Sequence, residues 1–301
     1  MNAILKTIAV AKADPGPVLE IRLFRPQVRN AFNPEMIREL TEILLGAQED
    51  RELRAISLSG QGGVFCSGGD LNWMKQTLEY TPEENIGDAQ ALYRLFEILD
   101  ACRVPVVCSV EGFALGGGVG LVSVSDYVIA KHDAQFSLSE VRVGLIPACI
   151  GPFVLRKIGE SQARALFLSG ERFDAEQAQR IGLVHEVAAD SDMLAAARRR
   201  VLENICRASP QAVAAAKEFI RKLTRMPAAG HGDLAARTLA DLRVTPEAQE
   251  GLRAFLEKRR PSWQTGQLGQ AGQMGGALPA ASGEEIRGGG DPAETSAAGK
   301  S

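Results

Sequence analysis

The segment VLEIRLF (18–24) alternates apolar and polar positions with a period of two, the pattern of a strand with one buried face. RAISLSG (54–60) and VPVVCSV (104–110) read as further strands, and each runs into a loop. Helical spacing lies between them. Asn33 followed by Pro34 predicts an N-cap with proline at the first helical position, and Met36, Leu40, Ile43 and Leu44 then form one apolar stripe. Thr81 followed by Pro82, Glu83 and Glu84 repeats the start signal. From Ser191 to Glu257 the periodicity is helical, without strand runs. The pattern therefore predicts an α/β core over 1–190 and a helical C-terminal segment over 191–265. Residues 266–301 hold no aromatic residue and are dominated by Gly, Ala, Gln and Ser, so a flexible tail is expected there.

Composition narrows the class. With 301 residues, 45% hydrophobic and 24% charged, the chain is long enough for an enzyme-sized core and is neither collagen-like nor a coiled coil. The 34 basic and 37 acidic residues leave a formal charge of −3, so no overall field favours DNA or an anionic membrane, and a small molecule is the expected partner. The start MNAILKTIAVAKADPG shows neither a secretory signal nor a membrane span, which points to a cytoplasmic protein. Cys66, Cys102, Cys108, Cys149 and Cys206 are widely spaced with no CxxC pair, and His132, His185 and His231 are far apart in sequence, so no metal is expected.

Three segments carry candidate chemistry. GQGGVFCSGGDLNWM (60–74) follows a strand and has glycines at 60, 62, 63, 68 and 69, which let backbone approach a ligand closely. EGFALGGGVGLVSVSD (111–126) places Gly116, Gly117 and Gly118 after the third strand and before an apolar run that reads as a buried helix, whose first amides lack intrahelical partners. Neither matches GxxxxGK[ST], GxGxxG or GxSxG. Taken singly, each loop is explained equally by turn chemistry. Together they offer two backbone donors of the kind that stabilise a thioester oxygen as it becomes an enolate. The third segment, AQFSLSEVRVGLIPACIGP (134–152), sets Glu140 among apolar and small residues. Two readings stay open: a desolvated general acid or base, or a surface acid paired with Arg142.

In combination RPQVRNAFNPEM, FCSGGDLNWM, GFALGGGVGL with Asp126, and SEVRVGLIPACIG resemble the crotonase superfamily, the enoyl-CoA hydratase/isomerase group, over roughly residues 5–264. The resemblance implies a spiral of ββα units capped by C-terminal helices that assemble as trimers or dimers of trimers. It implies an acyl-CoA substrate, with CoA part of the substrate and no other cofactor. By motif, Gly69 and Gly117 would supply the oxyanion-hole amides, and Ser67, Gly69, Asp70, Leu71 and Asn72 would line the pantetheine and acyl path. Val28, Asn30 and Ala31 would contact the CoA nucleotide end.

One departure from the resemblance bears on mechanism. Hydratases of the group commonly carry two glutamates, and this chain has Gly120 at the first place and Glu140 at the second. A single carboxylate serves hydration in sequence, or shuttles a proton between C2 and C4 as an isomerase does. The wording SEVRVGLIPACIGPFVLRKIG, with Gly120 and VTPEAQEGLRAFLEKRRPSW, is most similar to bacterial hydratases of glutaconyl-type thioesters: methylglutaconyl-CoA hydratases of leucine breakdown and isohexenylglutaconyl-CoA hydratases of acyclic terpene breakdown. Lys75 or Arg142 would then be a counter-charge for a distal carboxylate, or a solvated surface cation. Trp73 and Met74 fit an acyl pocket or plain packing, His185, Cys66 and Cys149 read as packing residues, and Glu111 is a candidate substitute for the missing acid. Three classes remain: a lyase using Glu140, an isomerase using Glu140, and a non-catalytic relative that binds CoA or RNA.

Overall fold

The structure, a computed structural model, describes residues 3–13 and 15–265, so the tail expected over 266–301 lies outside the described residues. In chain order, β1 (Ala3–Ile4), β2 (Ile8–Ala13) and β3 (Val18–Leu23) pair antiparallel. The helix α1 (Pro34–Glu49) then leads to β4 (Ala55–Gly60), α2 (Leu71–Thr77), α3 (Pro82–Asp100), β5 (Val106–Val110) and β6 (Phe113–Leu115). After these come α4 (Gly117–Ser123), β7 (Tyr127–Lys131), β8 (Gln135–Ser137), α5 (Gly151–Ser169), β9 (Arg172–Asp174), α6 (Ala175–Arg180) and β10 (Glu186–Ala188). The chain ends in α7 (Ser191–Arg207), α8 (Pro210–Leu223), α9 (His231–Arg243), α10 (Pro246–Leu256) and α11 (Ser262–Thr265).

A seven-stranded sheet runs in the order β1-β2-β3-β4-β5-β7-β10, parallel from β3 onward. Its central strands are covered on both faces. In β5, Val106, Cys108 and Val110 face the larger apolar cluster with α1 and α3, while Val107 faces the other cluster with α7. This two-sided burial is why VPVVCSV reads as a continuous apolar run whereas VLEIRLF alternates.

The predicted helix starts are present. The Asn33 side chain accepts from Met36 N–H, with Pro34 at the first position, and Thr81 forms a reciprocal capping box with Glu84. The expected α1 stripe buries Met36, Leu40 and Leu44, with Ile43 partly buried.

Two features differ from the expectation. A second sheet, β6-β8-β9, is built from strands of three residues, too short to leave a period in the sequence. In addition, the helical segment divides inside itself. Helix α7 buries Leu194, Ala197, Val201, Leu202 and Cys206 against the large sheet and belongs to the core. By contrast α8 and α9 bury no residue, although Ile220 and Leu239 stand exposed on them. A boundary at 190 thus precedes a core helix, because helical periodicity alone does not say what a helix packs against.

Candidate active site

Short backbone ladders assemble the site. In the second sheet β6 runs parallel to β8 with Leu115 opposite Ser137, and Gly116 N–H donates to Ser137 O at 3.0 Å. That register brings the residues after β6 beside those after β8: Gly116 and Gly117 beside the 3-10 turn Ser139–Val143, which carries Glu140. The first glycine loop joins through the bridge Cys66–Ala114, with Leu115 N–H donating to Cys66 O at 2.9 Å. Residue Phe32 bridges Gly69 on the other side.

The approach is close enough to require glycine at two places. Gly68 (φ +94°) and Gly116 (φ +49°) adopt left-handed backbone. A Cβ on Gly116 would lie 3.1 Å from Glu140 Oε1 and 3.8 Å from Gly68 Cα. The sequence therefore brings together three of the expected participants, the two glycine loops and the acid. The Phe32–Gly69 bridge uses the Gly68 carbonyl and the Asp70 N–H, leaving the Gly69 N–H outside it. Gly117 opens α4, where an N–H has no intrahelical acceptor. Among the described residues neither amide has a hydrogen-bond acceptor.

Glu140 is not a surface acid paired with Arg142. Its Oε2 is sealed from solvent without a hydrogen-bond partner among the described residues, and no ion pair to Arg142 forms. Burial pushes the carboxyl above the ordinary range, opposed only by its own backbone N–H. A carboxyl so placed binds a proton more readily than an ordinary glutamate and offers an unused oxygen.

The position two residues after the glycine run is closed. A Cβ on Gly120 would fall 2.4 Å from Ile150 Cγ2 and 2.8 Å from the Phe96 ring, so those side chains fill the space beside it. Glu111 does not substitute for the missing acid. Its Oε1 accepts from Ser191 Oγ at 2.6 Å, and it lines a separate polar pocket of about 350 Å³ with Glu20, Arg22, Ser109 and Arg198.

Other expected site residues spend their side chains inside the protein. Buried Asp70 caps α2 by accepting from Asn72 N–H and pairs with Arg25 at 2.7 Å. Burial alone would raise its carboxyl, but Arg25 and the Asn72 amide outweigh it and hold the group below the ordinary range. Asn30, fully buried with φ +54°, accepts from Arg25 N–H and donates to Gln61 O and Val64 O. Only backbone from these two residues is left for a ligand. Ala31 is buried and its carbonyl accepts from Arg25, while Val28 and Ser67 are half-buried. Leu71 and Asn72 are exposed on α2.

The remaining candidates separate cleanly. Met74 packs toward the glycine loop, its Cγ 3.7 Å from the Cβ position of Gly69, and buried Trp73 donates from Nε1 to Asp88 at 3.1 Å. His185 accepts from Val128 N–H through Nδ1 and stacks on Tyr127; burial, helped by Lys157, lowers its proton affinity, as suits a packed imidazole. Burial pushes the Cys66 thiol up to about 12, which makes it inert. Around Glu140, Val143, Leu145 and Ile146 are exposed apolar residues. Asp88, the acceptor of the Trp73 indole, carries no signal in the sequence, because it reads as an ordinary acid in the N-terminal half of a helix. No described helix is long and apolar enough to cross a membrane.

The sequence profile of the enoyl-CoA hydratase/isomerase family matches residues 14–267. The chain belongs to this family. Among relatives, the 2,3-dehydroadipyl-CoA hydratase of Escherichia coli is 32% identical over 247 residues, covering 82% of this chain and 94% of the relative. The carnitinyl-CoA dehydratase of Citrobacter koseri is 32% identical over 255 residues, covering 82% and 95%. Among solved structures, Pseudomonas aeruginosa AtuE superposes with a TM-score of 0.83 at 40% identity, covering 86% of this chain and 99% of that one. An enoyl-CoA hydratase from Shewanella pealeana gives 0.82 at 36%, covering 86% and 96%. The chain shares its mixed α/β fold with these two solved structures.

Proposed function

We propose that this chain is an enoyl-CoA hydratase in which Glu140 is the single general acid and base. The observation that carries the reading is the sealed, unpartnered Oε2 of Glu140 beside two glycine loops with unused amides. The Gly69 and Gly117 N–H groups hold the thioester oxygen. Glu140 removes a proton from water as its oxygen bonds to C3, and the C2=C3 electron pair moves to give the enolate. The protonated Glu140 then returns that proton to C2, so the net change is addition of one water and the carboxylate is restored. Family membership and the names of the relatives support a lyase acting on acyl-CoA thioesters.

The substrate we propose is a branched glutaconyl-type thioester, 3-methylglutaconyl-CoA or isohexenylglutaconyl-CoA. Its support is the similarity of the Glu140 segment, together with Gly120, to hydratases of such thioesters. Assembly as a trimer or a dimer of trimers is part of the same proposal. Its support is the apolar surface left open on α8 to α10, including Ile220, Leu239, Val244, Leu252 and Phe255.

The filled space at Gly120 favours a second reading, double-bond isomerisation, because one carboxylate suffices to carry a proton between C2 and C4. Loss of the conjugated enoyl absorbance on mixing purified protein with 2-enoyl-CoA esters tests hydration, and 3-enoyl-CoA esters test isomerisation. Glu140→Gln should lower either turnover at least about 100-fold and leave CoA binding intact. Normal turnover in that variant would overturn the role of Glu140. Binding without turnover of any ester by the wild type would favour the non-catalytic reading.

A further inference from the structure

Helix α3 turns one stripe inward: Leu92 is partly buried against the core, and Leu95, Phe96 and Leu99 are buried. Asp88 continues that stripe one turn earlier, so a half-buried carboxylate stands where the spacing calls for an apolar residue. It receives the Trp73 indole N–H on Oδ1 at 3.1 Å, while Oδ2 has no partner and no cation lies within ion-pair distance among the described residues.

Two segments leaving the proposed reaction centre end against this carboxylate. One runs from Gly69 into α2 and arrives as Trp73. The other runs from Glu140 to Cys149, whose thiol donates to Ala89 O at 3.5 Å and feels the Asp88 charge. Phe96, over Gly120, is eight residues further along α3, so Asp88 lies about 12 Å from it along the helix axis. Asp88 thus stands away from Phe96 and beside Trp73 and Ala89, where the two segments arrive. Both segments carry exposed apolar side chains, Met74 on α2 and Leu145 and Ile146 after Glu140.

We infer that Asp88 is a specificity-determining residue that forms the polar end of the acyl site and hydrogen-bonds an oxygen acid at the distal end of the chain, a carboxyl or a hydroxyl. Trp73 is its positioning residue, holding Oδ1 so that Oδ2 faces the acyl group. Burial raises the Asp88 carboxyl above its ordinary range against the opposing indole bond, and its free Oδ2 is able to accept from a distal hydroxyl or from a protonated carboxyl. The inference rests on the enoyl-CoA reading of the Glu140 site and adds the class of acyl tail.

The test measures kcat/KM of the full-length protein for two matched pairs: 3-methylglutaconyl-CoA against 3-methyl-2-pentenoyl-CoA, and 6-hydroxy-2-hexenoyl-CoA against 2-hexenoyl-CoA. Wild type should prefer the polar member of at least one pair by tenfold or more, and the pair that responds tells carboxyl from hydroxyl. Asp88→Leu should bring that ratio near one, Trp73→Phe should lower it severalfold, and Asp88→Asn, which keeps hydrogen bonding, should retain most of it. Because a ratio is read, a smaller folded fraction changes both rates equally and leaves it unmoved. Absence of preference in wild type, or an unchanged ratio in Asp88→Leu, overturns the inference. Loss of all turnover in Glu140→Gln alongside an unchanged Asp88→Leu ratio would leave the enoyl-CoA reading standing and remove this one alone.

Discussion

The Glu140 carboxylate Oε1 lies 3.1 Å from the point where a side chain on Gly116 would begin. Nothing but glycine at 116 lets the acid lie this close to the first turn of α4. The other oxygen is buried and unpartnered, an arrangement that costs stability and is kept at reactive sites. A carboxyl whose folded pKa is raised stays protonated longer in the folded state than in the unfolded chain. Stability therefore falls as pH rises from the ordinary glutamate range through the raised folded value, and the penalty stays in full above it. Glu140→Gln should melt at a higher temperature than wild type at pH 7, with the difference vanishing below the ordinary glutamate range. Thermal melts across pH check this.

Gly120 is a packing position in this chain. Gly120→Ala should destabilise by about 1–3 kcal/mol, because the new methyl would meet Ile150 and Phe96 in a filled core. Gly120→Glu should not restore activity to Glu140→Gln. Denaturant unfolding and enoyl-CoA turnover of the double variant are the measurements.

The Asp70 carboxylate ties the first glycine loop to the turn before Ala31 through Arg25, which also donates to the Ala31 carbonyl. Asp70→Asn leaves a mostly buried guanidinium without its counter-charge and should cost about 3 kcal/mol. The depressed pKa fixes the pH dependence: this contribution is present above the ordinary aspartate range and is lost as pH falls through the folded value. Urea midpoints at pH 7 and pH 3 should therefore differ between wild type and variant much more at pH 7.

Gly117 offers its N–H from the first position of α4, a position that favours proline in general, although a Cβ here would press on the Phe32 ring at 3.0 Å. Gly117→Pro deletes that donor and should lower kcat about 100-fold or more, the cost of removing one oxyanion donor. The expected signature is a fall in kcat larger than the change in KM. An unchanged kcat would remove Gly117 from the oxyanion role.

Much of the scaffold was legible before the structure. The β3, β4 and β5 strands announced themselves by period or by apolar run, and α1 and α3 by Asn33–Pro34 and the Thr81–Glu84 box, since these signals arise within a few residues. Strands β6, β8 and β9 did not, as three residues are too few to carry a period. Helix α7 and its successors look alike in sequence and differ only in what covers them. At the site, the sequence does not show that Asn30 and Asp70 spend their polar side chains on Arg25 and loop groups, because those partners are distant in the chain.

The amino-acid order by itself determined the local elements, the two glycine loops, the lone acid at 140 and the family these motifs resemble, because each is encoded within a short stretch of chain. Only the tertiary structure decided that the parallel register of β6 on β8 sets Glu140 against Gly116, that Phe96 and Ile150 close the space at Gly120, and that Asp88 meets Trp73. Those contacts join residues tens of positions apart, and the proton affinity of a buried carboxyl depends on what surrounds it, which no local pattern records.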